Sequence, residues 1–286
     1  MHILQILLLA IVQGAAELLP ISSSAHVVLA ARLIGFDINT KQNHEWAFLL
    51  VMLHTGTMLS VLWYFRARWR WLRQEVPALI AGTIATGIVG GALIVGIEHT
   101  FLRHADGTHG DIEETFDNLP LIASGLFAAG LIIIISGFRD QRSPARGESI
   151  GLWRSALIGA VQGMALPVRG FSRSGSTISA GMLAGIARIR AEEFSFALSV
   201  LLTPVIIVRE VSKIVSEHAL AKLGERSLSE VLFSGLAGMF FSCLAGLVAL
   251  WVLSRWLEKQ RWQWFGFYCL AAAAIVLAIH FRAFPV

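Results

Sequence analysis

Charge is what this 286-residue chain has least of: Asp, Glu, Lys and Arg make up 15% of it, against roughly 25% in an ordinary soluble domain. That shortage argues against a soluble enzyme. Cysteine is nearly absent too, with only Cys243 and Cys269. Both lie in apolar segments with no CxxC or ligand spacing around them, which excludes a disulfide framework and a zinc site and leaves them as buried small hydrophobes. No Pro/Ser-rich linker and no charge run divides the chain, so residues 1–286 read as a single integral membrane domain. The formal net charge of +4 is gathered in a few loops, and no continuous basic face is present, so nucleic acid is not an expected partner.

What the chain has in abundance is apolar length. With 56% hydrophobic residues, it carries six stretches near bilayer-spanning length: 46–65, 76–97, 119–138, 194–208, 231–253 and 264–281. Four further apolar runs, 3–12, 27–36, 153–166 and 178–186, each reach about half a bilayer at roughly 1.5 Å per helical residue. They come as two pairs around polar segments, 13–26 and 170–177, and each pair reads as a re-entrant helix-loop-helix. The first run lacks the basic flank of a signal peptide. Moreover, Ala10-Ile11-Val12-Gln13-Gly14 recurs as Gly159-Ala160-Val161-Gln162-Gly163. Glu45-Trp46-Ala47-Phe48 is echoed by Glu193-Phe194-Ser195-Phe196 at nearly the same offset of about 149 residues.

The expected fold is therefore an all-α polytopic membrane protein built from two repeats, residues 1–140 and 150–286. Each repeat would hold one re-entrant pair and three transmembrane helices. Three crossings per copy invert the second copy relative to the first, a plan whose broken helices meet near the midplane. Loop charge fits it. Arg66, Arg68, Arg70 and Arg73, then Arg139, Arg142, Arg146 and Arg154, then Arg188 and Arg190, then Arg255, Lys259 and Arg261 all fall on one side, expected to be cytoplasmic. The acidic segment 106–117 and the mixed loop 209–230 fall on the other, and Trp63, Trp69, Trp71, Trp251 and Trp256 sit near span ends as interfacial anchors. Both termini are expected outside, with the first hairpin entering from the external face and the second from the cytoplasmic face.

Polar groups at midplane depth are costly, and non-helical backbone survives there only inside protein or along a wet cavity. Two polar hairpins meeting there would make a site suited to a phosphate ester. The first offers Gln13, Glu17, Ser22, Ser23, Ser24 and His26. The second offers Arg173 flanked by Ser172, Ser174 and Thr177, with Gly170 before them. Arg173 would give phosphoryl oxygens a planar donor fork and a fixed charge. Residues 174–177 open a short helix whose N–H groups and hydroxyls form a second anion cradle. Glu17 and Gln13, four apart on one helical face, could hold a hard divalent cation such as Mg²⁺. His26, three residues past Ser23, could be the base for a serine nucleophile or the nucleophile itself.

Simpler readings compete. Ser22, Ser24, Ser174 and Ser176 could be caps or packing contacts alone, and Arg173 a counter-ion for Glu17. Arg169 could bind an anion or snorkel to the interface. His99, His104 and His109 with Asp106, Asp111, Glu113 and Glu114 match no metal-binding spacing and read as a solvated external loop. His54-Thr55-Gly56-Thr57 lies within a span, where it would line the cavity or pack closely through Gly56.

These residues resemble the undecaprenyl-diphosphate phosphatases linked to bacitracin resistance, over nearly the whole chain. The family's first motif, an acid or Gln, three residues, Glu, then Leu-Pro-x-Ser-Ser-x-x-His, is similar to Gln13, Glu17, Leu19, Pro20, Ser22, Ser23 and His26. Its second, Pro-Gly-x-Ser-Arg-Ser-x-x-Thr, resembles Gly170, Ser172, Arg173, Ser174 and Thr177, and Glu193 to Phe196 also looks like the family's. Arg169 stands where that motif usually has Pro, and Gln13 stands in for an acid.

The resemblance implies a bacterial inner-membrane enzyme that removes the terminal phosphate of undecaprenyl diphosphate, recycling the carrier for peptidoglycan and other cell-wall polymers, with a bearing on cell shape and bacitracin resistance. It implies a divalent cation, Mg²⁺ or Ca²⁺, at Glu17 and Gln13, with Ser23 and His26 as nucleophile and base and Arg173 on the phosphate. Ser22, Gly170, Ser172, Ser174 and Thr177 would complete the substrate site, open to the periplasm. Expected partners are the polyprenyl diphosphate, membrane lipids and, in a homodimer, a second copy of the chain. The rival function is transport of a lipid anion, since inverted repeats with broken helices also build transporters. A purely structural membrane subunit would leave the midplane polar groups unexplained.

Overall fold

The computed structural model describes residues 3–35, 44–100, 102, 112–115, 118–144, 147, 149–216 and 228–283. His104, His109, Asp106, Asp111, Arg146 and Phe36 lie outside the described residues. Ten α-helices form among those described: α1 (Ile3–Leu18), α2 (Ser23–Leu33), α3 (His44–Phe65), α4 (Val76–Thr100), α5 (Leu119–Arg142), α6 (Leu152–Met164), α7 (Arg173–Leu183), α8 (Arg188–Ser216), α9 (Leu228–Glu258) and α10 (Gln263–Ala283).

Among the described residues, five helical stretches are long and apolar enough to cross a membrane: Trp46–Phe65, Val76–Thr100, Leu119–Arg142, Glu230–Glu258 and Gln263–Phe281. Many of their large side chains face outward; Ile88 and Phe233 are 66% and 67% exposed, as lipid-facing positions are. The chain is thus an all-helical, multi-pass membrane protein. The expected span at 194–208 lies in α8, which is not among those five. This helix carries Arg190, Glu192 and Glu193 at one end, then Ser195, Ser199, Thr203 and an internal Pro204, and those positions dilute its apolarity.

The four short helices α1, α2, α6 and α7 have 16, 11, 13 and 11 residues, about 16–24 Å each and short of the ~30 Å hydrocarbon core. Local chemistry sets their ends. Pro20 follows α1 and cannot extend it. Gly185, at φ +86°, closes α7, with Ile186 N–H on Gly181 O and Gly185 N–H on Met182 O, both at 3.0 Å, the left-handed glycine cap that returns the last carbonyls their donors.

The chain divides into two compact units. The first holds Met1–Leu19, Ser23–Ala67 and Ser199–Leu253; the second holds Pro20–Ser22, Arg68–Leu198 and Ser254–Val286. In the first unit Ile6, Leu9, Ala10, Val27, Ala31, Trp46, Leu49 and Leu53 form a buried core that joins α1, α2 and α3. Gly14 and Gly56 admit the backbone of α9 at Ser242 and Met239, and Ser242 Oγ donates to Leu53 O at 2.9 Å.

In the second unit α4 and α6 meet along Gly82, Thr86 and Gly90 on one side and Ser155, Gly159 and Gly163 on the other. Each set repeats every four residues, the small-residue seam that lets membrane helices approach backbone to backbone. Thr86 Oγ1 donates to Gly159 O at 2.9 Å, and Ser155 Oγ donates to Ala78 O. A buried polar knot ties α5, α7 and α10: Trp262 Nε1–H reaches both Ser136 Oγ and Ser179 Oγ at 3.0 Å. Cys269 is fully buried, as expected, while Cys243 is only partly so.

Candidate active site

The first hairpin brings a carboxylate onto a hydroxyl. Gln13 and Glu17 lie one turn apart on α1, the chain turns through 19–22, and Ser23 opens α2. Ser23 Oγ donates to Glu17 Oε2 at 2.5 Å, and Gln13 Nε2 donates to the same oxygen at 3.1 Å. Glu17's side chain is 11% exposed, so its charge sits in protein and is held there by donated protons. His26 stands one turn further along α2 and is half-buried, as are Ser23 and Ser24. The residue before Ser23, Ser22, has φ +69° and is buried. A non-glycine residue in the left-handed region costs about 1 kcal/mol or more, and the bend it makes carries the hydroxyl of Ser23 back over α1.

His54, left between two readings by its sequence context, belongs to this cluster. Its Nδ1 lies 3.0 Å from Gln13 Nε2 and 3.7 Å from Glu17 Oε2. No local spacing signals this, because 41 residues separate it from Gln13.

The second hairpin spends its hydroxyls differently. Ser172 caps α7, accepting Gly175 N–H at 3.3 Å. Ser176 Oγ donates to Ser172 O at 2.8 Å, and Thr177 Oγ1 donates to Arg173 O at 2.7 Å. With its single proton so used, Thr177 accepts from Ser195 Oγ at 2.6 Å. Ser195 is the serine of the Glu-Phe-Ser-Phe segment, which thereby acquires a structural role. Ser172, Ser174, Ser176 and Thr177 are all buried, whereas Arg173, the first residue of α7, is half-buried. Gly170 has φ +90°, and a Cβ there would collide with Ile122 O of α5. Arg169, just before it, is half-buried, and its carbonyl packs on Gly125. Within this same unit, the carbonyl of Pro20 lies against Gly175, where a Cβ would meet it at 3.2 Å, and it accepts from Cys269 Sγ at 3.5 Å.

Just before the apolar stretch of α8, Arg190 bridges Glu193 at 3.1 Å and stacks over Trp71 at 4.6 Å, with Arg68 3.7 Å from Glu193. Burial raises the pKa of Glu193 against these cations. Glu192 is fully buried, accepts from Ser254 Oγ at 2.8 Å, and is pushed by desolvation up to about 8.

No group of three or more His, Cys, Asp or Glu side chains gathers at metal-holding distance among the described residues. Glu17 with the amide of Gln13 supplies one negative charge and hard oxygen donors. That set fits a cation completed by phosphate oxygens and water, in the manner of Mg²⁺, rather than one caged by protein.

A multi-pass membrane protein with a serine held on a buried carboxylate, and an arginine opening a serine-rich helix, has the equipment of a membrane phosphohydrolase. The model of the bacitracin resistance protein BacA family matches residues 6–275, and the chain belongs to that family. It is 45% identical over 98% of both chains to undecaprenyl-diphosphatase 2 of Acinetobacter baylyi. It is 33% identical to the undecaprenyl-diphosphatase of Rhodopirellula baltica, over 98% of this chain and 99% of the relative. To undecaprenyl-diphosphatase 2 of Burkholderia orbicola it is 35% identical over 94% of each.

Proposed function

We infer that this protein hydrolyses undecaprenyl diphosphate to undecaprenyl phosphate and inorganic phosphate, returning the lipid carrier to cell-wall synthesis. Family membership and near-full-length relatives carry the reaction. The observation that carries the chemistry is Ser23 Oγ on Glu17 Oε2 at 2.5 Å. A nucleophile within hydrogen-bond reach of its base is the signature of covalent catalysis.

In the mechanism we propose, Glu17 takes the hydroxyl proton as Ser23 Oγ attacks the terminal phosphorus. The P–O bond to the bridging oxygen breaks and undecaprenyl phosphate leaves; water then cleaves the phosphoserine, its proton passing to His26, which gave one up in the first step, while Glu17 returns its proton to the departing Ser23 Oγ. Arg173 is assigned to the phosphoryl oxygens, where a fork and a fixed charge match the spread-out charge of the transition state. His26 is assigned as proton donor to the departing oxygen. Ser22, Gly170, Ser172 and Ser174 shape the anion cradle, and Thr177 holds the start of α7 beneath Arg173. Glu17 and Gln13 would hold a Mg²⁺ or Ca²⁺ ion, which when bound neutralises charge on the diphosphate.

The proposal also includes the inverted repeat with its re-entrant hairpins, an inner-membrane location with the site open to the periplasm, surrounding lipids, and a homodimer. A transporter requires only anion binding and alternating access. It has no use for a serine paired with a base, so hydrolysis is the favoured reading. The test is phosphate release from undecaprenyl diphosphate by the purified protein, with and without chelator. Glu17→Gln should lose about 10³-fold in kcat and His26→Ala less, with activity restored by Mg²⁺ or Ca²⁺ after chelation. A His26→Ala loss far exceeding that of Glu17→Gln would assign the base to His26 instead.

A further inference from the structure

We propose that His54 is a positioning residue of the phosphatase reaction: through the Gln13 amide it holds the Glu17 carboxylate aimed at the Ser23 hydroxyl. The inference rests on the reading of Glu17 as the base for Ser23.

The geometry forms a chain of four groups. His54 Nδ1 is 3.0 Å from Gln13 Nε2, which is 3.1 Å from Glu17 Oε2, which is 2.5 Å from Ser23 Oγ. An amide nitrogen has two protons and no lone pair to offer, so Gln13 donates in both directions. His54 therefore presents the lone pair of Nδ1 and carries its ring proton on Nε2. Its 3.7 Å approach to Glu17 is then not an ion pair through that nitrogen. The reversed amide would set its oxygen against a carboxylate oxygen, so the two acceptors together fix the orientation of Gln13.

Gln13 is only 1% exposed, and a buried donor left without an acceptor is costly enough to rotate or withdraw. His54 supplies the acceptor that keeps the second proton occupied and the first on Glu17. A flexible Glu side chain gives up appreciable rotamer entropy when held, and a carboxylate already aimed before substrate arrives avoids that loss in the reaction step. The support is rigid. Leu53, next to His54, is fully buried in the core that joins α1 and α3, and Thr57 Oγ1 donates back to His54 O at 2.8 Å. His54's side chain itself is 38% exposed, which a residue kept only for packing inside a membrane bundle would not be.

The experiment measures kcat and KM for phosphate release from undecaprenyl diphosphate by the detergent-purified full chain. His54→Leu removes the acceptor and should lower kcat about 10- to 100-fold with KM within about twofold of wild type. His54→Asn places an amide oxygen where an acceptor is needed and should recover kcat to within about fivefold. Gln13→Leu, which also removes the amide oxygen assigned to the cation, should fall at least as far as His54→Leu, and the double variant should fall no lower than Gln13→Leu alone, since His54 acts through that amide.

Wild-type kcat in His54→Leu with an inactive Glu17→Gln would overturn the positioning role and leave the base reading intact. Wild-type activity in Glu17→Gln would remove the base reading and this inference with it. A raised KM at constant kcat would make His54 a substrate contact instead, and a His54→Asn as impaired as His54→Leu would reduce it to packing. Should His54→Leu not fold, His54→Ala takes its place: kcat low in His54→Ala and near wild type in His54→Asn supports the role, and wild-type kcat in His54→Ala or in Gln13→Leu refutes it.

Discussion

The two short hairpins start from similar material and use it in opposite ways. In α1–α2 the hydroxyl after the bend, Ser23, donates to a carboxylate. In α6–α7 the hydroxyls of Ser176 and Thr177 close on the carbonyls of Ser172 and Arg173, and Ser172 caps its own helix. The Gln that both hairpins share diverges likewise: Gln13 reaches Glu17 and His54, whereas Gln162 reaches Thr86 Oγ1 at 3.4 Å within the helix seam. One hairpin sets a hydroxyl on a carboxylate, the pair to which the proposed mechanism gives the reaction. The other turns the hydroxyls of Ser176 and Thr177 onto its own backbone, and in the proposed mechanism its Arg173 meets the anion. The proposed mechanism thus gives the reaction to the first hairpin and anion binding to the second.

The sharpest way to break that division is at Arg173. Arg173→Ala should lower kcat/KM by about 10³-fold, and Arg173→Lys, which keeps the charge and loses the fork, by about 10²-fold. Steady-state phosphate release measures both, and a Lys variant at wild-type rate would show that charge alone suffices. The apex residues come next. Gly170→Val forces a Cβ onto Ile122 O at φ +90° and should cost about 3 kcal/mol or more, seen as lost folded yield and a lower melting temperature in detergent. Ser22→Gly, at φ +69°, should instead gain about 1 kcal/mol, with kcat kept and KM raised a few-fold by loss of the hydroxyl. Thr177→Val is expected to have the smallest effect: about 1 kcal/mol of stability from its bonds to Arg173 O and Ser195, with kcat within about threefold of wild type. A tenfold fall in kcat there would mean that this hydroxyl touches substrate.

Much of the architecture is legible in the sequence because apolar run length is a direct physical readout: a segment either reaches across hydrocarbon or it does not. The stretches in α3, α4, α5, α9 and α10 and the four half-length helices follow from that count. Helix α8 is less legible because Ser195 and Ser199 face protein rather than lipid, so its apolarity understates its burial. In the site, Gln13 and Glu17 are visible as an i, i+4 pair, and Ser23 and His26 as an i, i+3 pair. What local spacing cannot show is the contact between those pairs, which depends on the bend at Ser22, or the arrival of His54 from another helix. The Ser195 bond to Thr177 is invisible for the same reason: it joins α7 to α8 through tertiary packing. His26, the obvious base by spacing, shares the hairpin with a carboxylate that already receives the Ser23 proton.

The most direct test sets the two hairpin hydroxyls against each other in one assay, comparing kcat for phosphate release from undecaprenyl diphosphate by Ser23→Ala and by Ser172→Ala. With chemistry in the first hairpin and support in the second, Ser23→Ala should fall by about 10³-fold and Ser172→Ala by less than about tenfold. Near-wild-type turnover in Ser23→Ala, with Ser172→Ala the crippled variant, would contradict it.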